Sequence, residues 1–274
     1  MTGRTLLIGG NSLIAGPVID GLSANPLTVT TRPSKTPRPD LDHAVLDLRK
    51  DLPERAWWDR FDRIVCLAPI HLAQAILPSV ADQRAVFVSS NNTALLSDNP
   101  NYAPLREAES AILASNLRSV ILQPTVISAR ANDPVTGPML SRIEAGRPVW
   151  LPGATTRQTP LHYLDLARAI LHAIDTDPEP GRYSVSGRDT LAYRDMARCL
   201  GAAVGRRASR VGLPAAPIRL AAHVWPISRS RYAAQMRRVG IHRDPINPPL
   251  PGFEPEYGYH DIVQSLIDAR TAPS

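Results

Sequence analysis

Three side chains near the middle of the chain could together move a proton. The apolar run Val86-Phe87-Val88 leads into Ser89-Ser90-Asn91-Asn92, Tyr102 follows twelve residues after Ser90, and Arg106 comes four residues later. If Tyr102 opens a helix, Arg106 lies one turn along on the same face. A guanidinium there would favour the phenolate form of the tyrosine, while the Ser90 hydroxyl could polarise a carbonyl or hold a substrate oxygen. Such a set suits hydride chemistry, because the substrate oxygen gains or loses a proton as hydride moves. The blander reading of Tyr102 is a helix-start tyrosine packed against a sheet.

A second cluster could hold an anion. Gly9, Gly10, Asn11, Ser12, Leu13 and Ile14 place small residues between the first apolar run and the first helical stretch. Backbone N–H groups at a helix N-terminus can face a pyrophosphate there, and a Cβ on the approach would obstruct it. The turn therefore reads as a dinucleotide cradle, although a Gly-rich turn can also be only a tight connection. Thr31-Arg32 ends the second run with a base where an acid would bind a ribose 2′-hydroxyl, which favours NADP over NAD. Arg32 could equally be a solvated loop residue. Asp47, followed by Leu48, ends the third run and could accept from an adenine amino group or cap a helix. The fourth run passes into Leu67, Ala68 and Pro69, small enough to let a cofactor lie close, and His71 beyond it reads as surface or packing.

The elements that must position these groups follow from periodicity. Arg4 to Ile8, Leu27 to Thr31, Ala44 to Leu48, Ile64 to Leu67, Ala85 to Ser89 and Val120 to Leu122 are short apolar runs suited to strands buried on both faces. Helix-favouring stretches at Leu13 to Leu22, Ala73 to Ala81 and Glu107 to Ser115 fill the intervals. This alternation predicts an α/β fold with a Rossmann-type, doubly wound parallel sheet. Pro33 to Pro39 reads as a loop. Past residue 128 the pattern loosens. Helices are expected at Pro138 to Ala145, Leu164 to Asp175, Tyr193 to Val204 and Tyr259 to Ala269, with strands at Arg147 to Leu151 and Tyr183 to Ser186, and Pro-punctuated helical pieces from Leu213 onward. The expected division is a core of residues 1–128, to which 156–187 return, and a smaller, mostly helical substrate region of 129–155 and 188–274.

Composition narrows the classes. With 274 residues, 43% of them hydrophobic, a substantial core is expected, and Gly (16) plus Pro (27) falls short of the roughly 25–30% that marks low-complexity chains. No apolar run approaches the ~20 residues of a membrane-spanning helix and no secretory pattern opens the chain, so a cytoplasmic protein without a membrane partner is expected. Cys66 and Cys199 form neither a disulfide framework nor a metal-ligand spacing. The net charge is +6, carried almost wholly by arginine, which suits an anionic ligand without choosing one.

On these residues the chain resembles the short-chain dehydrogenase/reductase superfamily, in its extended or atypical branch of NAD(P)-dependent epimerase/dehydratase-like and NmrA-like proteins. Gly9 to Ala15 stands where that family has G-x-x-G-x-x-G, with Ser12 and Ala15 replacing two glycines. Ser89-Ser90 matches its strand-five serines, and Tyr102, Arg106 and Glu109 match Y-x-x-x-K-x-x-E with arginine in place of lysine. Gln123-Pro124-Thr125 takes the place of the Arg-Pro after strand six, and Gln158 to Ala167 is similar to the family's Q-x-v-H-v-x-D-l-A segment. The resemblance implies Ser90, Tyr102 and Arg106 as the catalytic trio, and Ser89, Gln123 and Pro124 beside the cofactor. Asn91 and Asn92 stand where dehydratase members carry acids, which argues against a dehydratase. His162 and Asp165 fit structural roles better, as a buried hydrogen-bonder and a helix cap.

From Gly205 to Arg243 no acid occurs, while arginines stand at 206, 207, 210, 219, 229, 231, 237, 238 and 243. A solvated helix face, with Trp225, Tyr232 and Met236 as its apolar stripe, competes with an anionic-substrate site; no nucleic-acid motif accompanies the charge. The expected function is an NAD(P)-dependent oxidoreductase or epimerase-like enzyme passing hydride between NADP(H) and a carbonyl or alcohol carbon of a small molecule. The alternative is a non-redox protein on the same fold, either an NADP-sensing regulator or an isomerase or cyclase reusing the cleft. A pure interaction module would need the cleft to be vestigial. A homodimer is compatible with the sequence.

Overall fold

The computed structural model describes residues 3–32, 41–50, 52–129, 133, 135–224 and 236–271. The Pro33 to Pro39 stretch, and Trp225 and Tyr232 of the expected apolar stripe, lie outside them. The chain divides into two compact units. The first comprises Met1–Thr125, Leu164–Val185 and Pro245–Glu254; the second comprises Val126–Tyr163, Ser186–Asp244 and Pro255–Ser274.

The first unit is built on strands β1 (Thr5–Ile8), β2 (Leu27–Thr31), β3 (Asp42–Val45), β4 (Arg63–Cys66), β5 (Arg84–Val88), β6 (Arg118–Pro124) and β11 (Gly181–Val185). They form one seven-stranded sheet in the order β11-β6-β5-β4-β1-β2-β3, every pair parallel. The order reverses between β1 and β4, which opens a crevice at their C-terminal ends. Helices α1 (Ala15–Leu22), α2 (Arg55–Trp58), α3 (Ile70–Ala73), α4 (Asn92–Leu95) and α5 (Ala103–Leu113) lie between the strands, and α7 (Tyr163–Thr176) leads into β11. Alternation along the strands sends Leu6, Ile8, Ile64, Cys66, Ala85, Phe87 and Ile121 into one core with Trp58, Phe61 and Ile112. Toward the other face, α1 meets α7 where a Cβ on Gly21 would fall 2.3 Å from Leu171 Cδ1.

Several bounds differ from the sequence pattern for identifiable reasons. The helix expected over Ala73 to Ala81 is instead the short α3 followed by a 3-10 helix, Gln74–Ser79, that contains Pro78, whose missing N–H breaks the α-helical ladder. Helix α5 starts earlier than Glu107, with a proline in its first turn. Strand β3 ends at Val45, so Asp47 stands in the turn after it rather than at its end.

Among the described residues the second unit carries three short strand pairs: β7 (Ile127–Ser128) with β10 (Leu161–His162), β9 (Arg157–Gln158) with β12 (Leu191–Ala192), and β8 (Val149–Pro152) with β13 (Arg210–Leu213). Its helices among the described residues are α6 (Thr136–Glu144), α8 (Tyr193–Ala203), α9 (Ala215–Ala221) and α10 (Tyr259–Thr271). Its core is formed by Leu140, Ile143, Leu151, Met196, Leu200, Ile262 and Leu266. Strand β13 escapes sequence reading because three of its four residues are exposed and no alternation marks it. Residues 156–163 belong to this unit, whereas 245–254, expected here, belong to the first. The physical reason is a proline-rich strip with no periodicity, held to β11 by Ser184 N donating to Pro248 O at 2.8 Å.

Candidate functional site

Strand β1 delivers the chain into a turn that only glycine fits. Gly9 sits at φ +91°, where an L side chain is strained, and a Cβ on it would fall 3.1 Å from the Ala68 amide nitrogen and 3.2 Å from the Leu67 carbonyl carbon. A Cβ on Gly10 would fall 2.3 Å from Val29 Cγ1. The turn is closed by Gly10 N donating to Thr30 O at 2.8 Å and Ser12 N donating to Gly9 O at 2.8 Å. Helix α1 then begins with Ile14 as its N-cap, with no capping side chain and no acid in its first turn. The positive end of a helix is thus left without a carboxylate of its own, which is the electrostatic requirement for holding an anion. Ala15 is buried, so the space where the resembled family has a third glycine accepts a methyl group.

The crevice outside these strands encloses about 410 Å³. Gly9, Asn11, Ser12 and Leu13 line it from the turn, Thr31 and Arg32 from the end of β2, Asp47 and Leu48 from the turn after β3, and Leu67, Ala68 and Pro69 from the turn after β4. Gly10, Ile14, Ser89, Gln123 and Pro124, also expected beside a cofactor, are not among the residues that line this space. The sequence reading missed Ile8, Thr30, Leu46, Leu72 and, most consequentially, Arg49. The strand-end logic that selects Arg32 also selects Arg49, two residues after Asp47, once β3 is known to end at Val45. Both guanidinium groups are on exposed residues. Asp47 caps its own turn, its Oδ1 accepting from Arg49 N at 3.1 Å, and no helix starts there.

Ser89, Gln123 and Glu109 form a buried polar network. Glu109 is 2% exposed and accepts from Ser89 Oγ, from Gln123 Nε2 at 3.0 Å on each carboxylate oxygen, and from Arg182 Nε at 2.9 Å. Gln123, 0% exposed, also donates to Thr93 Oγ1 at 2.7 Å and accepts from Asn247 Nδ2. Pro124 ends β6, where its carbonyl accepts from Asn91 N at 3.0 Å. These residues hold β5, α5, β6 and β11 together.

The proton-transfer candidates stand at the C-terminal side of β5. Ser90 follows that strand, and its Oγ accepts from Asn92 N at 3.2 Å. Tyr102 is half-buried and is the N-cap residue of α5, so it does open a helix. Arg106 lies one turn along, with its guanidinium donating to the carbonyls of Leu96 and Asn99 at 3.4 Å. The Asn99 carbonyl also accepts from Tyr102 N at 3.1 Å, so Arg106 ties down the turn that delivers Tyr102. Asn91 is buried and its Oδ1 accepts from Ile246 N at 3.3 Å. In the second unit His162 is 1% exposed, stacked between Tyr163 and Tyr257, with Nε2 3.1 Å from Ser265 Oγ. Asp165 is fully buried and pairs with Arg168 at 2.7 Å; it lies in the first turn of α7 rather than at its cap.

No protein-family model matches the chain, and no curated protein matches it by sequence. Solved structures do. UDP-glucose 4-epimerase from Thermus thermophilus, in complex with NAD, matches with a TM-score of 0.67 at 17% identity, over 98% of this chain and 100% of that one. UDP-glucuronic acid 4-epimerase from Bacillus cereus, with UDP-glucuronic acid and NAD, matches with a TM-score of 0.68 at 13% identity, over 97% and 98%. UDP-N-acetylglucosamine 4-epimerase from Methanobrevibacter ruminantium matches with a TM-score of 0.67 at 14% identity, over 97% and 98%. The chain thus shares, over nearly its whole length, the Rossmann-type fold of these sugar-nucleotide epimerases.

Proposed function

We propose that this chain is an NAD(P)-dependent enzyme of the extended short-chain dehydrogenase/reductase type, an oxidoreductase or epimerase-like catalyst acting on a small molecule. The observation that carries the reading is the glycine turn. Its backbone passes so close to Ala68 that Gly9 admits no side chain, and it opens an uncapped helix N-terminus onto a crevice of about 410 Å³ at the switch point of the sheet. Two of the structural neighbours named above, the Thermus thermophilus and Bacillus cereus epimerases, hold NAD. For this chain NADP is favoured, because Arg32 and Arg49 both line the crevice where the ribose 2′-phosphate would lie, and guanidinium groups bind phosphate bidentately.

The dinucleotide, when bound, supplies the hydride chemistry. The turn from Gly9 to Leu13 and the N-terminus of α1 would hold the pyrophosphate, Leu67 to Pro69 would bound the cofactor on the β4 side, and Asp47 would face the adenine. Ser90 Oγ holds the substrate oxygen, and the Tyr102 hydroxyl gives up or takes the proton that accompanies hydride. Arg106 positions Tyr102 by fixing the carbonyls of Leu96 and Asn99.

Titration calorimetry with NADP⁺, NADPH, NAD⁺ and NADH at fixed salt tests this. Micromolar binding with preference for the 2′-phosphate is expected. Failure of all four to bind overturns the reading. With a substrate in hand, Tyr102→Phe should abolish turnover while leaving dinucleotide affinity within about threefold; unchanged turnover rejects the assignment of Tyr102. A non-redox dinucleotide binder is the second reading, favoured by the engagement of the Arg106 guanidinium with backbone carbonyls. It predicts tight dinucleotide binding with no NADPH oxidation by any carbonyl compound tested.

A further inference from the structure

The arginine-rich stretch before residue 243 plays no part in the dinucleotide reading, yet two of its members line a second cavity. Arg238 and Arg243, with Arg142 from α6, border a space of about 340 Å³ whose lining residues all belong to the second unit. That volume is at the small end of ligand pockets. Among the described residues that line it none is acidic. Its apolar wall is made by Pro138 and Met139 of α6 and by Val149, Trp150 and Leu151 of β8. Trp150 is 52% exposed, an uncommon investment of indole surface beside the buried Val149 and Leu151.

The polar end is pre-organised. Arg243 N donates to Arg157 O at 3.0 Å, Arg157 N donates to His242 Nδ1 at 3.0 Å, and the Arg157 guanidinium pairs with Asp244 at 2.9 Å, so the segment carrying Arg243 is pinned to β9. The Arg243 guanidinium in turn bonds the Tyr193 hydroxyl, which also accepts from Gln158 Nε2. Thr156, joined to Tyr193 by Tyr193 N donating to Thr156 O at 3.1 Å, lines the same space. Its Oγ1 is buried and has no hydrogen-bond partner among the described residues. A Cβ on Gly153 would fall 2.6 Å from that Oγ1 and 3.0 Å from the Gly240 amide nitrogen, so the hydroxyl and the backbone of the arginine-bearing segment meet at one point. A buried hydroxyl left unsatisfied costs free energy that a ligand acceptor would recover.

We propose that this cavity binds an organic anion with an apolar body, the head group set between Arg243, Arg238 and Thr156 and the body laid against Met139 and Trp150. The head group is a carboxylate or a phosphate, since guanidinium forks recognise both. Such an anion is the substrate class of the region already read as substrate-binding, and its assignment rests on that reading; binding is tested without dinucleotide present, so that its failure is distinguishable from a failure of dinucleotide binding.

The test titrates the full chain, followed by tryptophan fluorescence and in parallel by calorimetry, with octanoate and octyl phosphate below their micellar concentrations. Octanol serves as the body without the charge, inorganic phosphate as the head without the body, and UDP-glucose as a nucleotide comparator. Saturable binding of one or both octyl anions, at least tenfold tighter than octanol or phosphate, is expected, and the better anion identifies the head group. Arg243→Gln should weaken that anion at least tenfold while leaving octanol unchanged, with Arg238→Gln as the independent variant should Arg243→Gln lose its circular-dichroism melt. Trp150→Phe should abolish the fluorescence response while calorimetry still registers binding. No saturable octyl-anion binding, equal binding of octanol, or an undiminished affinity in both arginine variants overturns the proposal. Tighter binding of UDP-glucose than of either octyl anion, lost in the same variants, overturns the ligand class.

Discussion

Removing the cation from the buried carboxylate at Glu109 should cost far more than a surface ion pair is worth. The Glu109 side chain is 3% exposed, Arg182 Nε lies 2.9 Å from its Oε2, and the Arg182 side chain is 33% exposed. Taking one partner from a buried pair typically costs 3–5 kcal/mol, because the other charge is left uncompensated. Two features reduce that figure here. Ser89 Oγ and Gln123 Nε2 still donate to the carboxylate, and water can follow the exposed third of the arginine. Arg182→Met, which retains the apolar stem, should therefore destabilise the protein by about 2–3 kcal/mol. Glu109→Gln should cost about 1–2 kcal/mol, since an amide cannot accept from all the donors aimed at it. The double variant should cost less than the sum of the two by at least about 1 kcal/mol, because the residues are in direct contact. Urea unfolding followed by circular dichroism measures all three, with an unchanged slope confirming that native stability is what moved. An Arg182→Met variant within about 0.5 kcal/mol of the parent, or strictly additive losses, would refute the argument that this network holds β5, α5, β6 and β11 together.

Gly9→Ala should lower stability by about 2–3 kcal/mol, from the strain of a positive φ and from crowding the Ala68 backbone, and should abolish dinucleotide binding in calorimetry; a variant that binds normally means the backbone approach is not the cradle. Arg49→Gln should weaken NADPH at least tenfold relative to NADH, and equal losses for the two would remove Arg49 from the 2′-phosphate site. Alkaline pH should destabilise the fold. Burial holds the Cys66 thiol protonated up to about 12, whereas an unfolded chain releases that proton near pH 8.5. Between those values the native state binds the extra proton, so stability falls as pH rises, by up to about 1.4 kcal/mol per pH unit. The half-buried phenol of Tyr193 and the buried phenol of Tyr259 are shifted upward by desolvation and act in the same sense. Urea midpoints between pH 8 and pH 10.5 should drop less steeply in Cys66→Ala, and an identical slope would show that the thiol is not the group responsible.

The fold was legible because its signal is local. Strands buried on both faces read as short apolar runs, the intervals between them as helices, and a Gly-Gly turn after the first run marks the place where two backbones must nearly touch. The crevice was legible for the same reason: in a parallel sheet the strand ends that gather there are the ends of apolar runs, so Gly9 to Leu13, Thr31-Arg32 and Leu67 to Pro69 could be named from order alone. Arg49 was missed because a three-residue shift in the end of β3, from Leu48 to Val45, moves the turn that carries it. Ser89 and Gln123 have residue types equally suited to touching a cofactor or a buried carboxylate. Only the packing of α5 against β5 and β6 directs them to Glu109, and only the return of β11 brings Arg182 to close the network. The second unit was the least legible part. Its strands are two to four residues long and pair across the chain, and the strip 245–254 has no period at all, so its place beside β11 is decided by backbone hydrogen bonds that no local pattern announces. Composition determined that the segment before Arg243 is basic. That Arg238 and Arg243 line a cavity with Thr156 and Trp150, while Arg206, Arg207 and Arg219 are exposed, follows from how β8, β9 and α8 pack, because charge is a property of residues whereas convergence is a property of the fold.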